Sequence, residues 1–185
     1  MRSILGAPVF TYRSKEQIFD ADSAKKAWNI FKNGDDKGYI MGAKSPEDAE
    51  NPCELEKGQF FSVLAAFEVE NEQVLLLRDP RGNSEYLNEW SYLDSRWNKA
   101  ENLEKVPQNI DPRHSYQNGT FVVPVTKFIQ GQCFSEFYVS HHRASEGFKK
   151  SRFDAIDKDE ENHSYEFEVP KNHGDLYFSV ESYYE

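Results

Sequence analysis

The chain reads as an α+β fold, dominated by antiparallel strands, with one main helix near its start and a β-hairpin near its end. Three observations predict this. Ala24, Ala27, Trp28, Ile30 and Phe31 recur at the spacing of one helix face. Two apolar runs, one opening at Gly58-Gln59-Phe60-Phe61-Ser62 and one at Val74-Leu75-Leu76-Leu77-Arg78, flank a short turn at Glu70-Asn71-Glu72. Near the end, Tyr165-Glu166-Phe167-Glu168-Val169 and Asp175-Leu176-Tyr177-Phe178-Ser179-Val180 alternate in polarity around Pro170-Lys171-Asn172-His173-Gly174.

Taken in order, Val9-Phe10-Thr11-Tyr12 has the composition of a short strand. Asp22 or Ser23 can cap the helix that follows, and Asn33-Gly34 is expected to stop it. Lys37-Gly38-Tyr39-Ile40-Met41-Gly42 reads as a strand, and the hairpin of residues 58–78 comes next. Residues 98–117 are polar and contain Pro107 and Pro112, which predicts a loop. An Asn118-Gly119 turn leads into the strand Thr120-Phe121-Val122-Val123. Pro124 then starts a helical turn over residues 125–129, because proline suits the first helical position. Phe134-Ser135-Glu136-Phe137-Tyr138-Val139 forms a further strand. The chain therefore divides into a lead-in (1–20), a β-rich core (21–142) and an extension of acidic loop and hairpin (143–185).

Bulk properties narrow the function. A chain of 185 residues can form one domain, or one plus a small appendage, and is expected to bury about 70% of its unfolded surface. A net charge of −10 opposes phosphate backbones and anionic membrane surfaces, so neither nucleic acid nor membrane is expected as a partner. No apolar run reaches the ~20 residues of a spanning helix. The first eight residues carry one positive charge and an apolar run cut by Pro8, a poor match to a signal peptide. The two cysteines, Cys53 and Cys133, lie far apart and beside no base. They read as inert structural thiols in a reducing, cytoplasmic setting.

The order of blocks resembles the second catalytic subdomain of calpain-type cysteine proteases, a papain-like fold. The helix and strand Lys26-Ala27-Trp28-Asn29-Ile30-Phe31 and Gly38-Tyr39-Ile40-Met41-Gly42-Ala43 match its start. The strand opening at Gly58-Gln59-Phe60-Phe61 matches the one that carries a Gly-His-Ala-Tyr base, and Arg78-Asp79-Pro80-Arg81-Gly82 matches an Arg-Asn-Pro-Trp-Gly segment. Glu89-Trp90-Ser91 and Trp97 match the Trp-rich loop, and the segments about Asn118-Gly119 and 125–129 resemble those that close the subdomain.

By this resemblance Gln59 stands where the family has its general base, Asp79 where it has the orienting amide, and Arg81 where it has Trp. A primary amide does not titrate in the working range and can neither stabilise a thiolate nor protonate a leaving amine. Asp79 could orient an imidazole, yet the paired strand has none, and the nearest histidine in sequence is His114. The nucleophile half of the protease is missing too, and carboxylates around Cys53 would raise a thiol pKa. No catalytic residue is expected, and Asp79 beside Arg78 and Arg81 reads as an ion pair. Trp90 and Trp97 are expected in the core.

Two other patterns were weighed. Asp157, Asp159, Glu161 and Glu168 mimic a calcium loop, but its sixth position holds Asn162 where the turn needs glycine, so a solvated acidic loop is preferred. His141-His142 are successive on a strand and face opposite sides, which disfavours a shared metal. No cofactor or metal is expected. The terminal Tyr183-Tyr184 pair is a candidate surface for another protein. The resemblance thus implies a non-catalytic structural subunit of a larger protein complex, with a cytoskeletal, microtubule-associated or ciliary setting by family analogy. The competing readings are a calcium- or lipid-regulated binding module and one half of a split protease.

Overall fold

The computed structural model describes residues 9–13, 21–47, 52–83, 86–114, 118–129, 133–143 and Lys171. The acidic loop, the C-terminal hairpin strands and the Tyr183-Tyr184 pair lie outside the described residues. Six antiparallel strands make one sheet: β1 (Val9–Arg13), β2 (Tyr39–Lys44), β3 (Phe60–Val69), β4 (Glu72–Arg78), β5 (Thr120–Pro124) and β6 (Glu136–Arg143), in the order β1-β6-β2-β3-β4-β5. The helices whose full range is described are α1 (Ala21–Asp36), the short α2 (Ala100–Leu103) and α3 (Val125–Ile129).

Over β3 to β5 both faces of the sheet are covered, which explains why β4 is apolar without alternation. Leu75 and Leu77 point to a core formed with Ala27, Trp28 and Phe31 of α1 and Phe128 of α3. Val74 and Leu76 point to a second core under Trp90, Trp97 and Val106. On β3 the parity flips part-way. Phe61 and Val63 face the α1 side, but beyond a register shift between Val63 and Ala65 it is Ala66 that does so, while Ala65, Phe67 and Val69 face the Trp side. One inserted residue exchanges the two faces of a strand, and a β-bulge does that here. The α1 side chain of Asp35 stitches the bulged region, accepting the Ala66 N–H at 3.2 Å.

The β3–β4 hairpin closes through Glu70 and Asn71, whose φ values of 47° and 65° are the left-handed pair a two-residue hairpin turn requires. Helix α1 departs from its expected limits. It begins at Ala21, ahead of both expected caps, and runs past Asn33-Gly34 to Asp36. Gly38 ends it instead, at φ 66°, with its N–H donating to the Asp35 carbonyl at 2.9 Å. Gly34 has a packing role: a Cβ there would lie 2.7 Å from Met41 Sδ, so its absence lets the helix lie close on β2. The 98–117 segment is not a featureless loop. It carries α2 and the 3-10 turns Pro107–Asn109 and Pro112–His114.

Candidate functional site

Gln59 immediately precedes β3 and Asp79 immediately follows β4, and the pairing Ser62↔Arg78 puts both at one end of the hairpin. This end is where the base and its orienter are expected from the resemblance. Each side chain is engaged in a local structural bond. Gln59 donates from Nε2 to the carbonyl of Phe60 at 2.9 Å. Its backbone N–H donates to Ser45 Oγ at 2.9 Å, and Ser45, fully buried, in turn donates its hydroxyl to the Glu56 carbonyl.

Asp79 is buried, with 1% of its side chain exposed, and meets Arg81 in a forked ion pair. Its Oδ1 accepts the Arg81 backbone N–H at 2.8 Å and Nε at 3.2 Å, while Oδ2 accepts Nη2 at 2.8 Å. The guanidinium continues through Nη1 to the Glu56 carboxylate. A planar donor fork suits a carboxylate, which an amide at position 79 could not match in charge. The ion pair expected at Asp79 is formed, and Arg81 rather than Arg78 is the partner the geometry supplies. The turn is held tightly: Asp79 N–H donates to Gly119 O at 2.8 Å, and a Cβ on Gly119 would come within 2.8 Å of the Asp79 carbonyl oxygen.

The cysteines require a correction. Cys53 and Cys133 are joined in a disulfide, with Cα atoms 5.4 Å apart across a sequence separation of 80. The expectation of two free thiols fails, and with it the reason given for a reducing compartment. Sequence distance was the wrong guide, because the 52–58 loop folds back onto the chain just ahead of β6. Ser135 N–H donates to the Lys44 carbonyl at 2.9 Å, which holds that chain beside the end of β2.

The Trp-rich loop packs as structure. Trp90 and Trp97 are fully buried, with ring centroids 4.7 Å apart. Arg96 lies over the Trp90 ring at 3.8 Å and reaches Asp94 at 2.6 Å and Glu72 at 2.9 Å. Trp90 Nε1 donates to the other Glu72 oxygen at 2.9 Å, so one carboxylate on β4 anchors both the ring and its cation. The Arg96 guanidinium holds the Asp94 carboxyl at about 2, well below the ordinary range. Asn102, buried, closes the loop by donating to Glu70 at 3.0 Å and to the Arg96 carbonyl at 2.8 Å. This polar network was missed in sequence; its signal was Asp94 two residues before Arg96, an N-cap spacing.

His114 is exposed in its 3-10 turn, 3.9 Å from Asp111. His141 and His142 lie on β6. Among the described residues no group of three or more His, Cys, Asp or Glu is placed to hold a metal ion. Nor is any described helix long and apolar enough to cross a membrane.

A family model described as calpain family cysteine protease matches residues 3–140, which spans the whole sheet up to Ser140 in β6. A comparison with curated proteins finds no match.

Proposed function

The chain belongs to the calpain family of cysteine proteases, and from that premise we propose that it is a non-catalytic member, a structural subunit of a larger protein assembly. The observation that carries the reading is the pairing at the hairpin end. By the resemblance Gln59 stands at the base position, and the Asp79 carboxylate is paired with the Arg81 guanidinium. A carboxamide cannot take a proton from a thiol, and an aspartate neutralised by a guanidinium serves as an internal brace. Both cysteines are bound to each other, which leaves neither sulfur as a thiolate. What remains is a rigid two-faced sheet whose turns and loops are tied by ion pairs, a shape suited to being held in an assembly.

The test is fractionation of the native source. The account expects the chain in a large particle of fixed stoichiometry, and co-sedimentation with microtubules or axonemes tests the cytoskeletal or ciliary setting, which rests on fold-level analogy. A free monomer throughout would contradict the assembly reading. Tyr183→Ala with Tyr184→Ala is expected to weaken incorporation at least tenfold if the terminal aromatics anchor the chain.

A further inference from the structure

The loop that carries Cys53 is bound to the rest of the site at four separate places, and three of them are weak alone. Asn88 Nδ2 donates to the Pro52 carbonyl at 3.0 Å. Glu56 meets Arg81, an exposed pair of the kind that contributes little in water. Ser45 and Pro46 take the loop's exit, accepting the backbone N–H groups of Gln59 at 2.9 Å and Gly58 at 3.0 Å. The fourth tie is the Cys53–Cys133 bond, and both sulfur-bearing residues are buried, at 2% and 0% exposure. Leu55 and Cys53 pack into the α1-side core, so the loop's inward face is apolar and its outward face is charged.

We infer that Cys53–Cys133 is a persistent structural clasp in the native protein, fixing the 52–58 loop across the hairpin end where Gln59 and Asp79 sit. Small-molecule thiols reach a sulfur only by direct attack, so burial of both partners protects the bond for as long as the loop stays seated. Formation is an ordinary exchange with an oxidised dithiol, either an oxidoreductase or glutathione disulfide. One cysteine thiolate attacks the donor disulfide and expels a donor thiolate. The second cysteine thiolate then attacks the mixed disulfide and expels the other. The chain loses two electrons and two protons, and the donor takes them up as two thiols. The chain must therefore meet such an oxidant at or after folding.

The test traps thiols as the full-length protein is released from its native source. Lysis in denaturant with excess maleimide, followed by intact-mass analysis, is expected to show no adduct, and two adducts after prior reduction. Two adducts without reduction would overturn the persistent clasp. Hydrogen exchange on the folded protein then reads what the bond does. Reduction is expected to raise exchange at Gly58 and Gln59 at least tenfold while leaving the amides around Trp97 protected. Unchanged exchange at Gly58 and Gln59 would remove the clasp's role at the hairpin end. The double variant C53S/C133S is expected to melt about 10 °C lower. If it fails to fold, the reduced wild-type protein gives the same exchange reading.

Discussion

Arg81 carries a single charge that answers to two carboxylates, one buried and one in water. Removing it takes the forked guanidinium contact from the buried Asp79, whereas the solvated Glu56 loses little. Arg81→Ala should therefore lower stability by about 2 kcal/mol, read as a shift in urea midpoint. Adding Asp79→Asn should recover most of that loss, because a neutral amide is cheaper to bury than a carboxylate without its guanidinium. A second residue-scale prediction concerns acid. The Asp94 carboxyl titrates at about 2 in the fold because Arg96 grips it, against ~3.9 when unfolded. Its contribution, about 2 kcal/mol, is fully present above that unfolded value and drains away as pH falls from about 5 toward 2. Glu70, Asp111 and Glu136 are lowered too and act in the same direction. Asp35, raised by burial, acts against them. Denaturation followed against pH should show Asp94→Asn with a flatter acid limb than the wild type. At this scale the sequence was legible where opposite charges lie two residues apart, as with the Asp79–Arg81 ion pair. It was not legible for Cys53–Cys133, because loop placement depends on tertiary folding and not on spacing.

Strands β2 to β5 and the hairpin turn were readable because apolar runs and turn residues report local geometry directly. The stop of α1 was misplaced for a physical reason. Gly34 looks like a helix terminator, yet it is glycine because Met41 leaves no room for a Cβ, and Gly38 supplies the left-handed residue that ends the helix. The 98–117 segment hid its turns because no described element there is longer than four residues, too short for a periodic signal. Gly119 gives this scale its prediction. It has φ 73°, and a Cβ there would meet backbone atoms of Asp79 and Gly82 at 2.8 and 3.0 Å, which cannot swing aside. Gly119→Ala should cost about 3 kcal/mol, combining left-handed strain with the clash. Loss of the Asp79 turn should show as faster exchange at its N–H. A neutral outcome would mean the turn is not fixed from that side.

The described residues form one sheet with α1 and α3 packed on one side and, over β3 to β5, the Trp-rich loop on the other. The β3 bulge lets one strand serve both cores, and it was invisible in sequence because Leu64-Ala65-Ala66 is apolar in either register. The hairpin end that would hold a base and its orienter is braced by Ser45, Arg81 and the 52–58 loop. The measurement that reaches the central claim most directly is hydrolysis of a fluorogenic peptide by the full-length protein, with calcium and a reductant, beside an active calpain-type protease. The account predicts no turnover above buffer, and none in Gln59→His, since an imidazole without a partnered thiolate completes no site. Turnover by the wild-type chain that disappears in Asp79→Ala or Cys53→Ser would contradict it.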